Sequence, residues 1–137
     1  MEPNRRPTGY VPPADGTIKT LAVDDQESFR AALRDLVGGT QGFMLVGEAC
    51  SGEEAIWTVD QLLPQLVLMD VVMPGIGGIT AAQVILERRP HLIVVLLSVD
   101  DPSSYPGVGS LGGRVVCSRK QDLRPARLRE LWELPRS

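Results

Sequence analysis

Leu66-Val67-Leu68-Met69-Asp70-Val71-Val72-Met73-Pro74-Gly75 is the stretch on which the reading of this chain turns. Four apolar residues run without interruption into an acid, and Pro74, Gly75, Gly77 and Gly78 then make a turn. A short apolar run closed by turn residues is the pattern of a strand buried on both faces, as in a parallel sheet. Asp70 then stands at the strand's carboxyl end, the edge where open α/β sheets place their ligands. Alone it could merely cap the next helix. Its meaning depends on what else reaches that edge.

Upstream, Ile18 to Val23 reads as a first strand and ends in Asp24-Asp25. Phe29, Leu33, Leu36 and Val37 follow at the spacing of a helical apolar stripe, and Gly38-Gly39 supplies the stop. Phe43 to Val46 is a second strand. Ser51-Gly52-Glu53-Glu54 has the form of a capping box, opening a helix with Ala55, Ile56, Val59, Leu62 and Leu63 inward. Downstream, Ile79, Ala82, Ile85 and Leu86 mark a third helix, closed before Pro90. Leu92 to Leu97 is a fourth strand ending at Ser98, and Arg114 to Cys117 a fifth leading to Lys120. A last helix starts near Asp122, tolerates Pro125 in its first turn and turns Leu128, Leu131 and Trp132 inward. Arg124, Arg127 and Arg129 are left in water.

Strands alternating with helices predict an α/β fold, a doubly wound five-stranded parallel sheet with right-handed crossovers. One segment breaks the alternation. Between Ser98 and Arg114, where a helix is due, the chain carries Pro102, Pro106, Gly107, Gly109, Gly112 and Gly113. An interior Pro costs a helix ~3 kcal/mol and each Gly about 1 kcal/mol relative to Ala. The fourth helix is therefore expected to be missing or reduced to about one turn.

The 137 residues fit one domain, expected over 17–137, behind a Pro-rich leader over 1–16. A net charge of −3 gives no electrostatic reason to expect nucleic-acid binding. No apolar run approaches a membrane span, and Arg5 and Arg6 are followed by no signal-peptide core. Cys50 and Cys117 lack metal-type spacing, so buried, reduced thiols in a cytoplasmic protein are expected.

Every polar candidate falls at a strand's carboxyl end: Asp24 and Asp25, Asp70, Ser98, and Lys120 just past the fifth strand. In a parallel sheet these ends share one edge. Three carboxylates there repel one another, and a bound cation relieves the repulsion. An all-oxygen set suits Mg²⁺ rather than zinc. Asp70 could then attack a phosphoryl group and form an acyl phosphate, with Lys120 neutralising charge and Ser98 donating a hydrogen bond. Any one of these residues has a plainer structural use; their joint placement is what points to chemistry.

At this point the chain, over about Ile18 to Leu134, resembles a response-regulator receiver domain of two-component signalling. Leu68 to Gly75 with Gly78-Ile79 carries the resemblance, and with Arg119-Lys120-Gln121-Asp122-Leu123 it is similar to the NarL-type branch. The resemblance implies the flavodoxin-like strand order 2-1-3-4-5 that the chemotaxis regulators share. It implies that Asp70 accepts phosphate from a sensor histidine kinase or phosphotransfer protein, and that an effector protein is switched. Asp24, Asp25, Asp70 and the Val72 backbone carbonyl would hold Mg²⁺, while Ser98 and Lys120 would sense the phosphoryl group. Such a domain is not an enzyme beyond transfer to its own aspartate.

Three positions depart from the family pattern. Val99 stands where Ala or Gly is usual, Cys117 where a Tyr or Phe is usual, and Gln121 where a cis proline often follows the lysine. No DNA-binding helix-turn-helix follows Leu134, so no DNA binding by this chain is expected. With the degraded fourth helix, the departures leave a second expectation open: a phosphorylation-independent interaction module. A flavodoxin-like cofactor protein would want a phosphate loop where Asp24-Asp25 stand. An aspartyl phosphatase would want an earlier nucleophile and a cap domain.

Overall fold

The structure, a computed structural model, describes residues 16–134. All but Gly16 of the expected leader lies outside the described residues. Five parallel strands form one sheet in the order β2-β1-β3-β4-β5: β1 Ile18–Val23, β2 Phe43–Ala49, β3 Leu66–Asp70, β4 Ile93–Ser98 and β5 Val115–Arg119. Helices α1 Glu27–Gly38, α2 Gly52–Leu62, α3 Gly77–Arg88 and α4 Pro125–Glu133 cover it. The expected fold and strand order are both present.

Period-two alternation divides the core. Val67, Met69, Val94 and Leu96 face Ala55 and Val59 of α2 and Ala81, Ala82 and Ile85 of α3. Leu66, Leu68, Val95 and Leu97 face Leu33 and Val37 of α1 and Leu128, Leu131 and Trp132 of α4. β3 and β4 are buried along their full length, which is why they read as unbroken apolar runs.

β2 runs three residues further than the Phe43 to Val46 expected. The reason is a bulge: Thr20 pairs with Leu45 but Leu21 with Gly47, leaving Val46 out of register. The extra residue reverses the side-chain alternation. Phe43 and Leu45 pack with the α1/α4 side, whereas Ala49 packs with the α2/α3 side. Gly47 sits beneath the Leu62 side chain.

The capping box at α2 forms with a variation. Ser51 Oγ accepts from the Glu54 N–H at 3.0 Å, and Glu54 reaches back one residue further, to the Cys50 N–H at 2.7 Å. At its other end Leu62 and Leu63 are not core, contrary to the stripe reading. Leu63 caps the helix in the left-handed conformation, φ 50°, and is 55% exposed. Cys50 is exposed and Cys117 half-buried, and both are free, so neither is the buried core residue expected. The Cys50 thiol is pushed up by its hydrogen bond to Glu54, and burial pushes Cys117 up. α4 begins at Pro125, after a 3-10 turn over Lys120–Asp122. Arg127 is not left in water: its Nε donates to Ser118 Oγ at 3.3 Å.

No fourth helix fills the gap between β4 and β5. Two single 3-10 turns, Pro102–Ser104 and Val108–Ser110, replace it, with Gly107 (φ 92°) and Gly112 (φ 93°) on either side of the second. Positive φ at these positions is one that L side chains rarely adopt, and it ends each attempt at regular helix.

Candidate phosphoacceptor site

Asp70 is placed by the strand that ends on it and by the turn that follows. Its carbonyl lies so close beneath Gly78, in the first turn of α3, that any Cβ there would collide with it. The Gly78 N–H donates to Val71 O at 3.0 Å. Gly75, at φ 83°, lets Glu53 of α2 reach under the turn and accept from the Ile76 N–H at 3.3 Å. The glycines after Asp70 therefore allow α3 to begin directly against the site.

Asp24 and Asp25 arrive from the end of β1. Carboxylate oxygens of Asp24, Asp25 and Asp70 lie within 4.8 Å of one another. Asp24 is fully buried, and its Oδ1 accepts from the Gln26 N–H at 2.8 Å; Asp25 is exposed. The Val72 N–H donates to Asp70 Oδ1 at 3.2 Å. Burial pushes the Asp70 carboxyl up, further than the Val72 N–H and the charge of Lys120 draw it down, and the charge of Asp24 adds to the rise.

Lys120 closes the group from the end of β5. Its Nζ is 2.8 Å from Asp24 Oδ2 and 3.2 Å from Asp70 Oδ2, and stands 4.1 Å from the centre of the Phe29 ring. Burial lowers the tendency of this ammonium to hold its proton, but the hydrogen bond to Asp24 and the two carboxylate charges outweigh it and raise the pKa overall. An open groove of about 370 Å³ beside it is lined by Gln26, Ser28, Phe29, Val99, Lys120 and Gln121.

Five of the expected residues thus share one edge, and four of them, Asp24, Asp25, Asp70 and Lys120, form a single charged cluster. Ser98 is beside it at the end of β4, 2% exposed, but its hydroxyl is engaged elsewhere. Its Oγ accepts from the Asp100 N–H at 3.1 Å and lies 3.4 Å from the hydroxyl of Tyr105. Tyr105 was not among the expected residues. It lies in the glycine-rich break between β4 and β5, where no periodicity says which way a side chain points.

The three acids offer only oxygen donors, gathered within one ion's reach and partly desolvated, a set that fits a hard divalent cation such as Mg²⁺. Receiver domains bind Mg²⁺ at such an acidic pocket. No helix of the described residues is long and apolar enough to cross a membrane.

Residues 20–108 match the response regulator receiver domain family. The chain is 39% identical over 89 residues to the response regulator GacA of Pseudomonas syringae pv. syringae (strain B728a), covering 65% of this chain and 42% of that protein. It is 40% identical over 107 residues to protein-glutamate methylesterase/protein-glutamine glutaminase 3 of Paramagnetospirillum magneticum, covering 78% of this chain and 30% of that one. The chain therefore spans less than half the length of these relatives. Among solved structures, a LuxR-family two-component response regulator from Aurantimonas sp. SI85-9A1 superposes with a TM-score of 0.73 at 27% identity, over 83% of this chain and 81% of that one. With the family match running over well more than half of the chain and the fold and acidic edge in place, this chain belongs to the response regulator receiver domain family.

Proposed function

We propose that this chain is a cytoplasmic phosphoacceptor of a phosphorelay, taking a phosphoryl group onto Asp70 from the phosphohistidine of a sensor kinase or phosphotransfer protein. The observation that carries the reading is the Lys120 ammonium held between Asp24 and Asp70 at the mouth of the acidic cluster. A half-buried lysine there makes an aspartate edge attractive to a dianionic phosphoryl group. In the transfer, an Asp70 oxygen attacks phosphorus, the donor's N–P bond breaks, and the freed imidazole takes a proton from solvent. Lys120 moves from Asp70 onto a phosphoryl oxygen, so the charge it neutralised is replaced in place. Ser98 turns its O–H to a second oxygen. Asp24, Asp25, Asp70 and the Val72 carbonyl would hold Mg²⁺, which would supply the remaining neutralising charge. The product would switch binding of an effector protein, with a coupling of about 1–3 kcal/mol.

The engagement of Ser98 with Tyr105 favours a second reading, constitutive binding of a partner on a receiver scaffold. One experiment decides. With acetyl phosphate and Mg²⁺, intact mass should show a single phosphoryl adduct on wild type and none on Asp70→Asn. Unmodified wild type, under conditions that label another receiver, would leave the scaffold reading standing instead.

A further inference from the structure

We propose that Tyr105 couples the state of Asp70 to the segment between β4 and β5 by competing for the hydroxyl proton of Ser98. The proposal rests on the phosphoacceptor reading and extends it to a residue outside the acidic cluster. A serine hydroxyl has one proton and two lone pairs. One lone pair of Ser98 Oγ is taken by the Asp100 N–H, and the neighbour available to its proton is the Tyr105 oxygen at 3.4 Å. That distance is long for an O–H···O bond, so a better acceptor displaces it readily.

A phosphoryl oxygen on Asp70 is such an acceptor. Hydrogen bonds to ionised groups are roughly twice as strong as those between neutral ones. Once Ser98 gives its proton to the phosphoryl group, Tyr105 loses its donor. It must then reverse its bond or leave.

The element that carries Tyr105 is built to register this. It is two separate 3-10 turns joined through Gly107, anchored by the buried Pro102 and Val108 and by Tyr105 itself, which packs on the α2/α3 side of the core. Asp101 caps the first turn, its Oδ1 accepting from the Ser103 N–H at 3.0 Å. A regular helix would resist a change at one contact through its ladder of backbone bonds; two single turns have no such ladder. Cys117, on the neighbouring β5, is a small side chain in the same apolar cluster, so the aromatic ring on this side comes from the segment and not from the strand.

The test is Tyr105→Phe in the full chain, which keeps the ring and removes the competing oxygen. Two readouts separate coupling from packing: affinity for beryllofluoride with Mg²⁺ by calorimetry, and hydrogen exchange of amides 101–112 with and without it. Wild type should exchange differently in this segment when beryllofluoride is bound. Tyr105→Phe should bind beryllofluoride more tightly, by about two- to fivefold, the size of one neutral hydrogen bond, and its segment should respond much less. Equal affinity and equal response in the two proteins, or a lowered affinity in the variant, would overturn the coupling while leaving the phosphoacceptor reading intact. Failure of wild type to bind beryllofluoride at all would remove the phosphoacceptor reading, and the coupling with it.

Discussion

At the scale of single residues, the site is a compromise between charge and burial. Burial holds the Asp70 carboxyl above its ordinary range, so the folded chain disfavours its ionised form. The sign follows. Below the unfolded value Asp70 is protonated in both states and has no effect; as pH rises through its folded value it destabilises the fold. Asp70→Asn is therefore expected to raise the Tm of the metal-free protein at pH 7, with the gain shrinking to nothing near pH 3. Equal gain at both pH values would rule out the titration as its cause. Gly78 tests the other constraint, space. Gly78→Ala sets a methyl against the Asp70 carbonyl and the Val71 Cα, so a loss of about 3 kcal/mol in denaturant unfolding is expected. A neutral substitution would mean that the close approach of α3 to the site is not required.

At the scale of elements, periodicity made most of the fold legible. Asp70, Asp24-Asp25, Ser98 and Lys120 could be placed at one edge because strands end where apolar runs end. Tyr105 could not, because its segment has no period to read. Leu62 and Leu63 misled for a related reason: the helical stripe continues in sequence after α2 has begun to unwind at Leu63. The run of β2 past Val46 was hidden by the bulge, which moves Ala49 to the opposite face from Phe43. The same reversal directs Glu48 to α1, where its carboxylate meets Arg34 Nε at 2.7 Å and Arg30 Nε at 3.5 Å. The hydrogen bond from Arg34 holds the Glu48 carboxyl below its ordinary 4.5. A lowered carboxylate stabilises above its unfolded value and loses that effect as pH falls through the folded one. After screening at this partly exposed pair, Glu48→Gln should lower Tm by about 2 °C at pH 7 and by nothing once the pH is well below the folded value. A difference that persists in acid would point to packing in place of the ion pair.

At the scale of the whole molecule, the acidic edge adds a charge link to the backbone pairing of the sheet, because Asp24 follows β1, Asp70 closes β3 and Lys120 follows β5. A cation that binds only this folded arrangement stabilises all of it. At ten times its Kd the gain is about 1.4 kcal/mol, or about 4 °C in Tm for a chain of this size. Thermal melts in rising Mg²⁺ should show that climb for wild type and none for the Asp24→Asn, Asp25→Asn double variant. A flat wild-type response would sink the metal site.

The bulge at Val46 has a consequence beyond the face that Glu48 occupies. β2 lies at the rim of the sheet, paired to β1 on one side with its other edge unpaired by any strand among the described residues. A regular rim strand of seven residues is a template on which another chain can add a strand, and so a starting point for polymerisation. Here the interruption divides the template into Phe43–Leu45 and Gly47–Ala49, each too short to hold an incoming strand in register. Removing Val46 would restore one continuous template while turning part of β2 inside out. Light scattering of that deletion variant during refolding should rise well above wild type; if it does not, the kink serves only the inward geometry. On the first outcome, the irregularity that sets Glu48 against α1 is also what keeps separate copies of this chain apart.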